Sequence, residues 1–234
     1  MDVILIPGFW LDGASWAPAT RDLEAAGHRT LAMTLPGKES PIASRHGIGL
    51  RDHIDAVVDV LDSIDAPAVL VGHSGGAAII QGAADARPES VAKLIYVDAV
   101  PLPDGGVVND ELPVVGCSIP LPGWEVFDDA DLTDLTDPLR QEFRRMAIPE
   151  PALVATDPQS VRNAARFGIP AAVIACEFSA AQIQGWIESG EAFTSELARI
   201  EKLSIHELPT GHWPQLTRPA ELGQLLADVV GNRG

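Results

Sequence analysis

Only two cysteines, Cys117 and Cys176, occur in 234 residues. They stand far apart without C-x-x-C spacing, which argues against a disulfide framework, a thiol redox motif or a cysteine-built metal site and leaves both as packing residues. Basic residues are scarce too: 16 Lys and Arg face 33 Asp and Glu, for a net charge of -17. Nucleic acid and anionic membrane surfaces are bound through clustered Lys and Arg, so neither partner is expected. No apolar run approaches the roughly 20 residues of a membrane-spanning helix. Residues 2–6 already read as a strand, with no basic segment before them and no small-residue cleavage site after. A signal peptide is therefore not expected, and the expected location is cytoplasmic. What remains is 46% hydrophobic and 21% charged, the composition of a globular protein.

Short apolar runs stopped by turn residues predict buried strands at Val3-Ile4-Leu5-Ile6, before Pro7-Gly8, and at Thr30-Leu31-Ala32-Met33, before Pro36-Gly37. Further strands are expected at Ala68 to Val71, Leu94 to Val97, Ala171 to Ala175 and Leu203 to Leu208. Helical segments lie between them. Ala14 to Ala26 stops at Gly27, and Leu50, Ile54, Val57, Leu61 and Ile64 recur at helical intervals with aspartates between. The last helix starts near Pro219 and buries Leu222, Leu225, Leu226 and Val229. Strands alternating with helices predict an α/β fold, a mostly parallel sheet of about six strands with helices on both faces. Residues 102–168, rich in Pro, Gly and Asp, break the alternation. They predict a lid inserted into a core made of 1–101 and 169–234, with helix starts at Asp137-Pro138 and Asp157-Pro158. Trp124, Phe127, Phe143, Met146 and Phe167 either line an apolar pocket from above or form the small core that the lid itself needs.

Gly72-His73-Ser74-Gly75-Gly76 joins the apolar run ending at Val71 to an alanine-rich helical stretch. This is the layout of a nucleophile elbow, in which a strained serine sits on a strand-to-helix corner and the flanking glycines let strand and helix pass closely. A serine hydroxyl needs an imidazole to take its proton. Of the six histidines, His212 lies in a loop between the last strand and the last helix, where it can reach Ser74 across the strand ends. His28, His46 and His53 read as surface residues and His206 as structural. His73 is expected to pack or to touch substrate, because neighbours on a sharp turn point apart. The carboxylate that fixes the imidazole is either Asp98, ending the strand beside the elbow, or Glu177, following the later strand Ala171 to Ala175. The backbone N–H of Gly75, at a helix N-terminus, is a candidate oxyanion donor. Gly37-Lys38-Glu39-Ser40 lacks phosphate-loop spacing, no G-x-G-x-x-G follows the first strand, and no cluster has metal-ligand spacing, so no cofactor and no metal are expected.

The elbow together with Gly211-His212, in this order of elements, resembles the α/β-hydrolase fold superfamily over nearly the whole chain, in particular its lid-bearing esterase and hydroxynitrile lyase branch. In most members the triad acid follows the next-to-last strand, at a place that corresponds here to Ser179. A minority, including haloalkane dehalogenases and some lipases, carry it after the strand following the elbow, and the resemblance thereby favours Asp98 over Glu177. It also implies a second oxyanion donor from the loop after the first strand, where this chain has Pro7-Gly8-Phe9-Trp10 and Phe9 is the expected donor. The implied function is a serine hydrolase acting on a small carboxylic ester or lactone. Trp10, His73, Trp124, Phe143 and Trp213 are expected around the substrate. The alternatives are a lyase or carbon-carbon hydrolase using the same triad, since fold alone does not choose the reaction, and a ligand-binding protein with little turnover. The expected partner is a small-molecule ester or related substrate, with an oligomer allowed.

Overall fold

In the computed structural model, which describes residues 1–231, the first apolar run forms β1 (Asp2–Ile6). A 3-10 turn over Gly13–Trp16 leads into α1 (Ala17–Ala25), followed by β2 (Arg29–Ala32), α2 (Leu50–Asp62), β3 (Ala68–His73), α3 (Gly76–Ala86) and β4 (Val91–Val97). The connection after β4 holds β5 (Ser118–Ile119), α4 (Asp137–Met146), β6 (Glu150–Pro151) and α5 (Ala152–Thr156). The chain then returns through β7 (Ala171–Ala175), α6 (Ala180–Ser189), β8 (Leu203–Glu207), α7 (Pro214–Thr217) and α8 (Pro219–Gly231). Six strands form one sheet in the order β2-β1-β3-β4-β7-β8, and every pairing in it is parallel.

Alternation along the strands divides the apolar residues between two faces, because successive side chains point to opposite sides. Val3, Leu5, Val71, Ile95 and Ile174 pack beneath α1 and α8 through Leu23, Leu222 and Leu226. Ile4, Ile6, Leu70, Leu94, Tyr96 and Val173 pack against α2 and α3 on the other side. Central β3 is buried at every position, whereas β2 and β8 are edge strands with exposed residues. The expectation of a buried strand at Thr30 to Met33 is corrected accordingly: with a neighbour on one side only, Leu31 stays 45% exposed.

Between β4 and β7, the antiparallel pair β5 and β6 lies outside the main sheet. Ile119, Leu135, Phe143 and Val154 of this connection share one apolar cluster with Ile4, Ile6 and Tyr96. Helix α4 starts at Asp137 as expected, but Asp157-Pro158 ends a helix instead of starting one. The residue before a proline is pushed into extended backbone, and the Asp157 carboxylate accepts from Leu50 N–H at 3.1 Å, capping α2 instead. A buried ion pair between Lys38 and Glu150 ties the loop after β2 to β6. His53, expected at the surface, is fully buried on α2 and meets the Pro36 carbonyl at 2.8 Å through Nε2.

Candidate active site

Ser74 occupies the corner between β3 and α3 with φ 51, a left-handed conformation that costs a non-glycine residue energy. The glycines around it are there because backbone occupies the space a Cβ would need. A Cβ on Gly72 would lie 2.6 Å from the Gly76 carbonyl oxygen, and one on Gly76 would lie 2.8 Å from that of Ile6. Ser74 N–H donates to the Val97 carbonyl at 3.2 Å, which fastens the corner to the end of β4. The loop after β1 approaches just as closely: a Cβ on Gly8 would stand 2.8 Å from Ser74 Cβ, and one on Gly75 would stand 2.6 Å from the Phe9 ring. Among the described residues, no protein acceptor engages the backbone N–H of Phe9 or of Gly75.

His212 comes from the loop after β8 and reaches this corner. Its Nε2 lies 2.8 Å from Ser74 Oγ, and its Nδ1 lies 2.7 Å from Asp98 Oδ2. An ionised carboxylate only accepts, so Nδ1 carries the proton and Nε2 presents a lone pair to the serine hydroxyl. Asp98 is itself held at φ 47, directly after β4. Its second oxygen, Oδ1, accepts from the backbone N–H groups of Cys176 and Glu177 at 3.0 and 3.2 Å. Burial pushes the Asp98 carboxyl up, but the His212 hydrogen bond and charge, with those two N–H groups, outweigh it and hold the carboxyl below the usual range. Burial likewise opposes protonation of His212, and the neighbouring carboxylates overcome it, so the imidazole is more basic than usual. The loop is fixed by its backbone as well, because Gly211 and His212 donate N–H bonds to the Thr133 and Asp131 carbonyls at 3.0 and 2.9 Å.

A model described as the alpha/beta hydrolase family matches residues 3–225. The chain belongs to the alpha/beta hydrolase family. It is 35% identical over 101 residues to a carbendazim hydrolyzing esterase of Nocardioides sp. (strain SG-4G) and 36% identical over 101 residues to a pyrethroid hydrolase of Sphingobium wenxiniae. Those stretches are 41% and 42% of this chain, and they cover only 40% and 36% of the two relatives. An extracellular alpha/beta-hydrolase from a Paenibacillus species superposes with a TM-score of 0.79 at 20% identity, covering all of both chains. A methylesterase from Arabidopsis superposes at 0.76 with 16% identity, covering 98% of each. At such identities the structural likeness speaks for the fold.

Within this family member, the two rival acids turn out to face the same nitrogen. Glu177 Oε1 lies 3.4 Å from His212 Nδ1, the longer of the two approaches. Burial, with the Asp98 charge added, pushes the Glu177 carboxyl up to about 7. Asp98, Glu177 and His212 bring three ligand-type atoms within 4.8 Å of one another. A cation there would have to displace the Nδ1 proton that already joins the imidazole to the carboxylates.

The rings expected around a substrate are placed differently. Trp10, His73, Phe143 and Trp213 are buried. Trp124, Phe127, Phe143 and Trp213 pack on one another with ring centroids 5.1 to 6.4 Å apart, and Trp10 joins them through Phe127 at 5.7 Å. Of the two expectations for these rings, pocket lining or packing, the structure shows packing between residues 102–168 and the rest of the core. Phe167 lies elsewhere, with the guanidinium groups of Arg166 and Arg199 4.1 and 3.9 Å from its ring centre. His73, also expected near substrate, is fully buried, and its Nε2 meets the His212 carbonyl at 2.6 Å. A carbonyl accepts, so His73 donates there and holds the His212 backbone from below. Burial first, then the nearby His212, pulls its pKa down to about 3, so it stays neutral. A cavity of about 580 Å³ opens beside Asp98 and Glu177, walled by Val100, Phe178, Trp186 and Phe193. The sequence reading missed this cavity. The aromatic spacing along and after α6 was its one available signal.

Proposed function

We propose that this protein is a serine hydrolase of small carboxylic esters or lactones. The supporting observation is the unbroken line of hydrogen bonds from Ser74 Oγ through His212 to Asp98, 2.8 and 2.7 Å long, starting from a serine held in a strained corner. In this reading Ser74 attacks the ester carbonyl carbon while His212 Nε2 takes the hydroxyl proton. Asp98 orients the imidazole and stabilises the cation that forms. The oxyanion is met by the free N–H groups of Phe9 and Gly75, the latter opening α3, where the helix dipole favours negative charge. His212 then gives its proton to the alkoxide leaving group, and water repeats the sequence to release the acid.

The relatives named as a carbendazim hydrolyzing esterase and a pyrethroid hydrolase favour hydrolysis over the lyase alternative. Residues 102–168 serve in this account as the lid, because Asp131 and Thr133 hold the His212 loop and Ile148 N–H donates to the Trp10 carbonyl at 2.9 Å. The test is turnover of uncharged aryl esters graded by acyl length, with cyanohydrin cleavage assayed in parallel. Ester hydrolysis that disappears in Ser74→Ala, with the fold retained, is the expected result. Undiminished ester turnover in that variant, or cyanohydrin cleavage alone, would overturn the reading.

A further inference from the structure

One imidazole nitrogen with two carboxylates against it is an unusual arrangement, because one N–H satisfies one acceptor well. Asp98 takes the short bond at 2.7 Å and Glu177 stands behind it at 3.4 Å. Asp98 is anchored by two backbone N–H groups, one of them from Glu177 itself. Glu177 Oε1 has no such anchor. Among the described residues it meets no hydrogen-bond partner, and its side chain is only 11% exposed. An acceptor left in that condition costs free energy, and the Nδ1 N–H stands 3.4 Å away. The groups facing Glu177 are Asp98 after β4, His212 after β8 and Asp131 from the connection between β4 and β7.

We propose that Glu177 is a second positioning carboxylate for His212, sharing the Nδ1 N–H with Asp98 and able to hold the imidazole when Asp98 is removed. The proposal rests on the hydrolase reading for its consequence in turnover, but not for its geometry. As an anion, Glu177 adds to the pull that makes the imidazole basic; as the neutral acid, it relieves repulsion against Asp98. Glu177 thereby sets how basic His212 is near neutral pH. An imidazole gripped by two full negative charges would stay doubly protonated near neutral pH, leaving Nε2 without a lone pair for the serine proton.

The experiment follows the His212 ring by NMR through a pH titration in the whole protein, its Glu177→Gln variant, Asp98→Asn and the double variant. Glu177→Gln is expected to lower the midpoint of His212 by about one pH unit, a tenfold loss of proton affinity. Asp98→Asn is expected to titrate at least that far above the double variant. In turnover, the acid limb of kcat/KM should move to lower pH in Glu177→Gln, since neutral His212 is the active form. Asp98→Asn should stay at least tenfold more active than the double variant. A His212 midpoint indifferent to Glu177 overturns the proposal, and Glu177→Gln alone supplies that reading should Asp98→Asn not fold. If the wild-type protein hydrolyses no ester, the functional reading fails while the ring titration still decides the role of Glu177.

Discussion

Replacing Gly76 by alanine sets two physical effects against each other. Gly76 is the first residue of α3, and helix propensity alone predicts that alanine stabilises such a position by up to ~1 kcal/mol. Against that, the new methyl group would stand 2.8 Å from the Ile6 carbonyl oxygen, 2.9 Å from that of Pro7 and 3.2 Å from Ile6 Cγ2. Two of these neighbours are backbone and cannot rotate away, so β1 and α3 must part by a few tenths of an ångström or more. Overpacking of this kind costs about 1–3 kcal/mol, so the clash wins. Turnover should fall along with stability. The displaced segment carries Pro7 to Phe9 on one side and Ser74 to Gly75 on the other, and since misplacement by about 1 Å costs about a hundredfold in rate, a shift of a few tenths should cost about two- to tenfold. Urea unfolding at unchanged m-value measures the first quantity, and kcat on an aryl ester measures the second. A higher unfolding midpoint with unchanged kcat would refute the close-approach argument and leave propensity in charge.

Glu150→Gln leaves the buried Lys38 ammonium without its partner and should destabilise by about 3–5 kcal/mol in urea melts, while the paired change Lys38→Met with Glu150→Leu recovers most of that loss. Phe143→Ala opens a hole among Trp124, Phe143 and Trp213 and should cost about 3–5 kcal/mol, read by thermal unfolding. His73 stays neutral in the folded state down to about pH 3, whereas the unfolded chain protonates it near 6.5. The unfolded state therefore binds more protons between those values, and the contribution of His73 to stability should fall by up to about 1.4 kcal/mol per pH unit as the solution is acidified through that window. His73→Asn should flatten that slope, as followed by urea midpoints across the range.

The sheet, the elbow and the order of helices were legible because each is written locally. Period-two and period-3.6 patterns set the strands and helices, and Gly72 and Gly76 mark a corner where backbone crosses backbone. His212 was legible from its place between the last strand and the last helix. The choice between Asp98 and Glu177 was not, and the reason is geometric: β4 and β7 are neighbours in the sheet, so residues just past their ends converge on the same imidazole. The rings of residues 102–168 left two readings open because apolar side chains that line a pocket and those that fill a core carry the same composition. His53 was misplaced, since a buried neutral imidazole bonded to a carbonyl has the same letter in the sequence as a solvated one.

The most direct measurement of the central claim is the rate at which a fluorophosphonate modifies the protein, with the adduct located by peptide mass spectrometry. Activation of Ser74 by His212 predicts a fast, single adduct on Ser74 whose rate falls by several orders of magnitude in His212→Ala. No adduct on Ser74, or one that forms equally fast without the imidazole, would contradict it.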